Sequence, residues 1–196
     1  MKALKHLVIG SATAAAWLVL LSSCAAEKDS DGLYAEVTTH KGLIVMQLEL
    51  EKTPMTVANF VGLAEGTIKN AAFAEGTPYF NGTKFHRVAP GHVIQCGIPA
   101  GSKAEGPGYE FPNEIHPDLS HGRAGMVNMA NSGPHTNAGQ WCIMLGDRSY
   151  LDGDYTVFGR VVEGLDVVFS IAQGDEIQKV KIIRAGKAAK AFRQAC

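Results

Sequence analysis

The chain of 196 residues carries 18 Lys and Arg against 19 Asp and Glu, a formal net charge of −1, with 46% hydrophobic and 19% charged residues. That length fits one globular domain, and the charge balance excludes a disordered acidic tail and a general phosphate-backbone binder, so no nucleic-acid partner is expected. Glycine, at 22 residues against 8 prolines, favours a turn-rich fold over a helical bundle, and four scattered cysteines are too few for a disulfide scaffold.

The chain opens with Lys2 and Lys5 and then runs apolar and small from Leu7 to Leu21. This predicts a signal peptide over residues 1–23, because the run falls short of the ~20 residues that span a bilayer. It ends in Leu21-Ser22-Ser23-Cys24, which resembles the lipobox of bacterial lipoproteins. The resemblance implies acylation of Cys24, a membrane partner held through a lipid anchor, and a place in the bacterial cell envelope. Stable anchoring of that kind takes more than one acyl chain. Ala25 after the cysteine, where an inner-membrane retention signal would have Asp, favours the outer membrane over the inner. Residues 24–32, with Glu27, Lys28, Asp29 and Asp31, then form a polar tether.

The folded body is expected over residues 33–185. Apolar alternation from Leu33 to Leu50 around His40-Lys41-Gly42 predicts a strand pair. Pro54 opens a short amphipathic helix that ends at Gly66, with Thr53 placed to cap it. Further strands are predicted at 83–88, 92–97, 125–130, 140–145, 156–162 and 177–183, and a second helix at 164–173. Short strands with two short helices argue for a mainly β antiparallel barrel or sandwich. The Gly/Pro-rich stretch from Ile98 to Arg123 is long enough to be functional. Residues 186–196 form an Ala/Lys-rich tail, read as a frayed helix or as disordered.

Familiar catalytic machinery is missing: there is no His-Glu-x-x-His, no Cys-x-x-Cys, no Gly-x-Ser-x-Gly and no Walker loop. The seven histidines lack close metal-ligand spacing, so neither a metal nor a cofactor is expected. Two stretches instead concentrate polar residues and glycine, Phe85-His86-Arg87-Val88-Ala89-Pro90-Gly91-His92-Val93-Ile94-Gln95-Cys96-Gly97 and Met129-Ala130-Asn131-Ser132-Gly133-Pro134-His135-Thr136-Asn137-Ala138-Gly139-Gln140. With Gly106-Pro107-Gly108-Tyr109, Phe111-Pro112-Asn113-Glu114-Ile115-His116, Leu151-Asp152-Gly153 and Val157-Phe158-Gly159-Arg160-Val161, they resemble the cyclophilin family of peptidyl-prolyl cis-trans isomerases.

That resemblance implies an eight-stranded antiparallel barrel capped by two helices, with a groove on its outer face for proline-containing polypeptide chains. It also implies Arg87 and Gln95 as the catalytic pair, with Ala130, Asn131 and Gln140 along the groove and Leu151 on the wall of a proline pocket. Four pocket positions depart from the best-known members: His92 stands for Phe, Val93 for Met, Cys142 for Phe and Tyr155 for His. Tyr150 replaces a Trp. The loss of two aromatic rings removes apolar grip, about 1.5–3 kcal/mol for each fully buried side chain. The leading expectation is an isomerase that speeds folding of exported proteins. The alternative is a tethered peptide-binding or chaperone module with little turnover. A monomer is expected. Because side chains alternate along a strand, Cys96 should face away from the groove and Cys142 toward it, leaving two free thiols.

Overall fold

The computed structural model describes residues 31–192; the predicted signal peptide, Cys24, all of the tether before Asp31, and Cys196 lie outside the described residues. Eight strands form one antiparallel sheet in the order β3-β4-β6-β5-β7-β2-β1-β8. Strands β1 (Gly32–Thr39) and β2 (Gly42–Leu48) make the expected hairpin, with Leu33, Ala35 and Val37 turned inward and fully buried. The remaining strands are β3 (Arg87–Ala89), β4 (Val93–Cys96), β5 (Met126–Met129), β6 (Trp141–Met144), β7 (Val157–Glu163) and β8 (Ile177–Ala185).

The strand expected at 83–88 is divided. Its later residues enter β3, whereas Thr83 to Phe85 pair with the chain before β8, through Phe85 N–H to Asp175 O at 2.9 Å and Ile177 N–H to Thr83 O at 2.8 Å. The two halves have different neighbours because the sheet curls, and this seam brings its first and last strands together. Periodicity alone has no way of showing where a strand changes partner.

Both predicted helices are present, α1 (Pro54–Glu65) and α2 (Leu165–Ser170), and a third, α3 (Gly186–Ala191), occupies the start of the segment read as a tail. Ala189 explains α3: it is 1% exposed and joins the main core. Helix α1 plugs the barrel with Val57, Phe60, Val61 and Leu63. The Phe60 ring lies 5.1 Å from Phe80, 5.4 Å from Phe158 and 5.6 Å from Trp141, so four aromatic rings fill the centre. Such rings contribute the largest apolar areas available to a small core.

Thr53 does not cap α1 with its side chain; its hydroxyl donates to the Glu49 carbonyl at 3.2 Å. The cap comes from the long loop instead. Glu114 accepts from the N–H groups of Met55 (3.1 Å) and Thr56 (2.6 Å) and from the Thr56 hydroxyl (2.7 Å). A carboxylate at a helix N-terminus satisfies orphan donors and complements the helix dipole. At the other end Gly66 takes the left-handed conformation, φ 72°, and a Cβ there would meet the Thr77 backbone at 2.6 Å. Among the described residues no helix is long and apolar enough to cross a membrane.

Candidate active site on the outer face of the barrel

Strand register lines up one row of side chains across five strands. Arg87 of β3 pairs with Gln95 of β4, Gln95 with Cys142 of β6, Cys142 with Asn128 of β5, and Asn128 with Val157 of β7. Directly opposed residues share a face of the sheet. The alternate row, Cys96, Trp141 and Met129, points into the barrel core. Cys96 and Cys142 therefore lie on opposite faces as free thiols, in agreement with the alternation argument.

At the open end of the outer row three side chains form a directional chain. Arg87 Nη1 donates to Gln95 Oε1 at 3.3 Å, and Gln95 Nε2 donates to Gln140 Oε1 at 2.9 Å. A guanidinium only donates, so it fixes both amides, and the Gln140 amide nitrogen is left to donate beyond the chain. His86 lies against Gln140, and burial and the neighbouring Arg87 charge hold its proton affinity below the ordinary value. An uncharged imidazole beside Gln140 keeps a second cation away from Arg87. Sequence reasoning passed over His86; its place beside Arg87 in the quoted stretch was the available signal.

Next to this chain is a small apolar cluster made of Val93, Met126, Cys142, Met144 and Val157, with Ala89, Leu119, Ala130 and Leu151 packed on it. Val93, Cys142, Ala130 and Leu151, all named from the sequence, are thus brought together. Tyr150 and Tyr155 belong to neither group, and Tyr150 is 69% exposed. Burial pushes the Cys142 thiol up to about 12, with Arg87 opposing the shift, so the thiol stays protonated and acts as a small apolar group. Beside it Asn128 is buried, with Nδ2 donating to Met129 O at 3.0 Å and Oδ1 without a partner.

Gln95, Ala130, Asn131 and Gln140 also line a second cavity of about 560 Å³, whose far wall is Glu105, Tyr109 and Glu110 from the long loop. The loop is pinned there. The Tyr109 hydroxyl donates to Asn59 Oδ1 at 2.6 Å, and Ala71 N–H donates to Pro107 O at 2.7 Å. Gly108, at φ 85°, passes so close to Ala71 that a Cβ would approach the Ala71 methyl to 2.6 Å. Asn131 is held by its own donation to Asp154 O at 3.0 Å.

His92, between β3 and β4, accepts at Nδ1 from Arg148 Nε at 2.8 Å. Burial, Arg148 and Arg87 together hold its proton affinity below the ordinary value. Nothing in the sequence spacing pointed to Arg148, which is 56 residues away along the chain. Among the described residues no group of three or more His, Cys, Asp or Glu side chains is placed to hold a metal ion. The arrangement offers a directed guanidinium beside an apolar recess, which suits holding a polypeptide and polarising one of its amides.

Comparison with known proteins places this geometry in context. Residues 34–187 match the family model described as cyclophilin type peptidyl-prolyl cis-trans isomerase. Peptidyl-prolyl cis-trans isomerase A of Mycobacterium tuberculosis is 41% identical over 133 residues, covering 66% of this chain and 73% of that protein. Peptidyl-prolyl cis-trans isomerase-like 1 of Homo sapiens is 38% identical over 156 residues, covering 75% and 87%. Among solved structures, a Cryptosporidium parvum cyclophilin type peptidyl-prolyl cis-trans isomerase superposes with a TM-score of 0.63 at 24% identity, over 81% of this chain and 99% of that one.

Proposed function

The chain belongs to the cyclophilin-type peptidyl-prolyl cis-trans isomerases, and from that premise we propose that Arg87 drives the isomerisation by stabilising the twisted prolyl amide. Resonance hinders rotation about the peptide bond by roughly 18–20 kcal/mol. X-Pro bonds therefore interconvert over tens to hundreds of seconds unaided. No covalent bond is made or broken, so an enzyme need only bind the twisted form better than either planar one.

Twisting breaks resonance and returns the lone pair to the prolyl nitrogen. Arg87, already oriented through Gln95 and Gln140, has further N–H groups to donate to that nitrogen. The carbonyl carbon and oxygen need no proton transfer. Gln95, Asn131 and Gln140 hold the flanking backbone, and the recess of Val93, Cys142 and Leu151 takes the pyrrolidine ring. The observation that carries this reading is the Arg87–Gln95–Gln140 chain beside the apolar cluster.

The test is protease-free cis-to-trans relaxation of X-Pro peptides by the chain from Ala25 onward and by its Arg87→Ala variant. We expect kcat/KM to fall by about 10²–10³-fold in the variant, the scale of losing one directed donor in a transition state. Equal rates from wild type and variant would remove Arg87 from the mechanism.

We further propose that the enzyme works on exported proteins, as a monomer tethered through lipidated Cys24 in the bacterial envelope, at the outer membrane. The run before Cys24 and Ala25 after it support this. Incorporation of labelled palmitate that a Cys24→Ala variant loses is the expected result, and a soluble, unlabelled wild-type chain would refute it. One observation favours the second reading, a binding module with little turnover: Cys142 is a small side chain at the floor of the recess, where a larger ring would grip proline. Peptide binding without rate acceleration would establish it.

A further inference from the structure

We propose that Arg148 and His92 form a specificity-determining pair, which makes the mouth of the proline recess select polypeptides that carry a carboxylate beside the proline. The inference rests on the isomerase reading of the groove and names the substrate class that reading leaves open. Arg148 reaches across from the loop after β6 to the β3–β4 turn, donating from Nε to His92 Nδ1 at 2.8 Å. Its two terminal nitrogens donate to the Gly91 and Asp147 carbonyls. A guanidinium neither accepts nor gives up a proton at ordinary pH. His92 Nδ1 must therefore be bare, and the neutral imidazole carries its proton on Nε2.

That donor sits on the tight turn between Ala89 and Val93, closed by His92 N–H to Ala89 O at 2.9 Å, and both flanking residues pack in the recess cluster; the cyclophilin resemblance implies a Phe at this position. Arg148, bonded to His92, and the Arg87 charge both act on the imidazole electrostatically, and Arg87 also acts on Cys142 at the floor. Among the described residues neither guanidinium has a carboxylate in ion-pair contact. Asp147, the chain neighbour of Arg148, is exposed and accepts from Ser149 N–H at 2.9 Å; the Ser149 bonds and, to a smaller extent, the Arg148 charge hold its carboxyl below the usual carboxylate range, so it offsets part of that cation. The other end of the groove has the opposite sign, with Glu105 and Glu110 on the cavity wall. A substrate carboxylate is repelled from that end, and the Arg148 end offers it one N–H donor, bonded to Arg148 and within the field of Arg87.

Arg148 also fixes the wall next to this mouth, because Leu151 N–H donates to its carbonyl at 2.9 Å. The pair therefore links the turn that carries His92, just before β4, to the turn that carries Tyr150 and Leu151.

The experiment compares peptides with Glu placed before or after the proline against Gln counterparts, for wild type, Arg148→Met and His92→Phe. Three quantities are read: kcat/KM, affinity by calorimetry, and the His92 titration by NMR. Wild type is expected to favour one Glu peptide over its Gln counterpart by about fivefold to tenfold, and both variants should bring that ratio to within about twofold. Saturation with the preferred Glu peptide should raise the pH at which His92 titrates, because a bound carboxylate stabilises the imidazolium, and the Gln peptide should not. Arg148→Met should raise it without any peptide, since one neighbouring cation is gone.

Equal handling of Glu and Gln peptides by wild type, or a His92 titration indifferent to the Glu peptide, overturns the inference. If no peptide is turned over while Glu peptides still bind more tightly and move His92, the isomerase reading fails and the selectivity stands. Turnover without selectivity does the reverse.

Discussion

Asp152 shows how single side chains hold the recess in shape. Its carboxylate accepts from the Ser120 hydroxyl at 2.6 Å and the His121 backbone N–H at 2.8 Å, and pairs with His121 Nδ1 at 2.6 Å. His121 is fully buried, so these bonds tie the end of the long loop to the turn that carries Leu151. Burial pushes the Asp152 carboxyl up, but the bonds from Ser120 and His121 outweigh it and hold the group below the usual carboxylate range. A depressed carboxyl stabilises the fold above its unfolded value and loses that contribution as pH falls through the lower folded value. Asp152→Asn is therefore expected to cost about 1 kcal/mol near neutral pH, allowing for partial exposure. The difference from wild type should shrink below pH about 4, in denaturant titrations across pH. Of the residues discussed, Arg87, Gln95 and Gln140 were legible because they sit in contiguous blocks. His86 was within a block but had no spacing argument, while Arg148 and Asn128 act through neighbours that only strand register supplies.

At the scale of elements, α1 and its borrowed cap make a second prediction. Glu114→Ala removes the acceptor for two helix N–H groups and one hydroxyl. The expected loss is about 1–2 kcal/mol, seen as a lower denaturant midpoint at unchanged slope. The sequence showed a helix between Pro54 and Gly66 because Pro and Gly mark helix ends by local conformation. It misplaced the cap because an acceptor 58 residues away leaves no local trace. Strand β6 carries a third prediction. Cys142 is small and its cross-strand neighbour Asn128 is buried beside it, so Cys142→Phe overfills that row and should destabilise by about 1–3 kcal/mol. Adding Asn128→Ser should recover much of the loss, and a double-mutant cycle measures the coupling.

For the whole molecule, the seam and the two-faced sheet decide what is accessible. Cys96 is sealed inside the barrel, where burial pushes its thiol well above the ordinary value, and Cys142 is sealed under the recess. Neither should react with iodoacetamide in the native chain at pH about 8, because the thiolate is the reactive form. Both should react after unfolding, as read by peptide mass mapping. Rapid native labelling at Cys142 would contradict the buried floor. A mainly β antiparallel class and the number of strands were readable from two-residue periodicity and turn residues; a barrel, as against a sandwich, came from the cyclophilin resemblance, and where it closes was not readable. The seam joins residues 83–85 to 175–177, and that pairing depends on how the sheet curls. The central claim is that Arg87 acts on the twisted amide and not on the planar substrate. Equilibrium NMR exchange with saturating X-Pro peptide tests it most directly, by separating kcat from KM for wild type and Arg87→Lys. The account predicts that kcat falls by about tenfold or more with KM within about twofold, because lysine keeps the charge and loses the directed fork. A variant with wild-type kcat and a raised KM would contradict it.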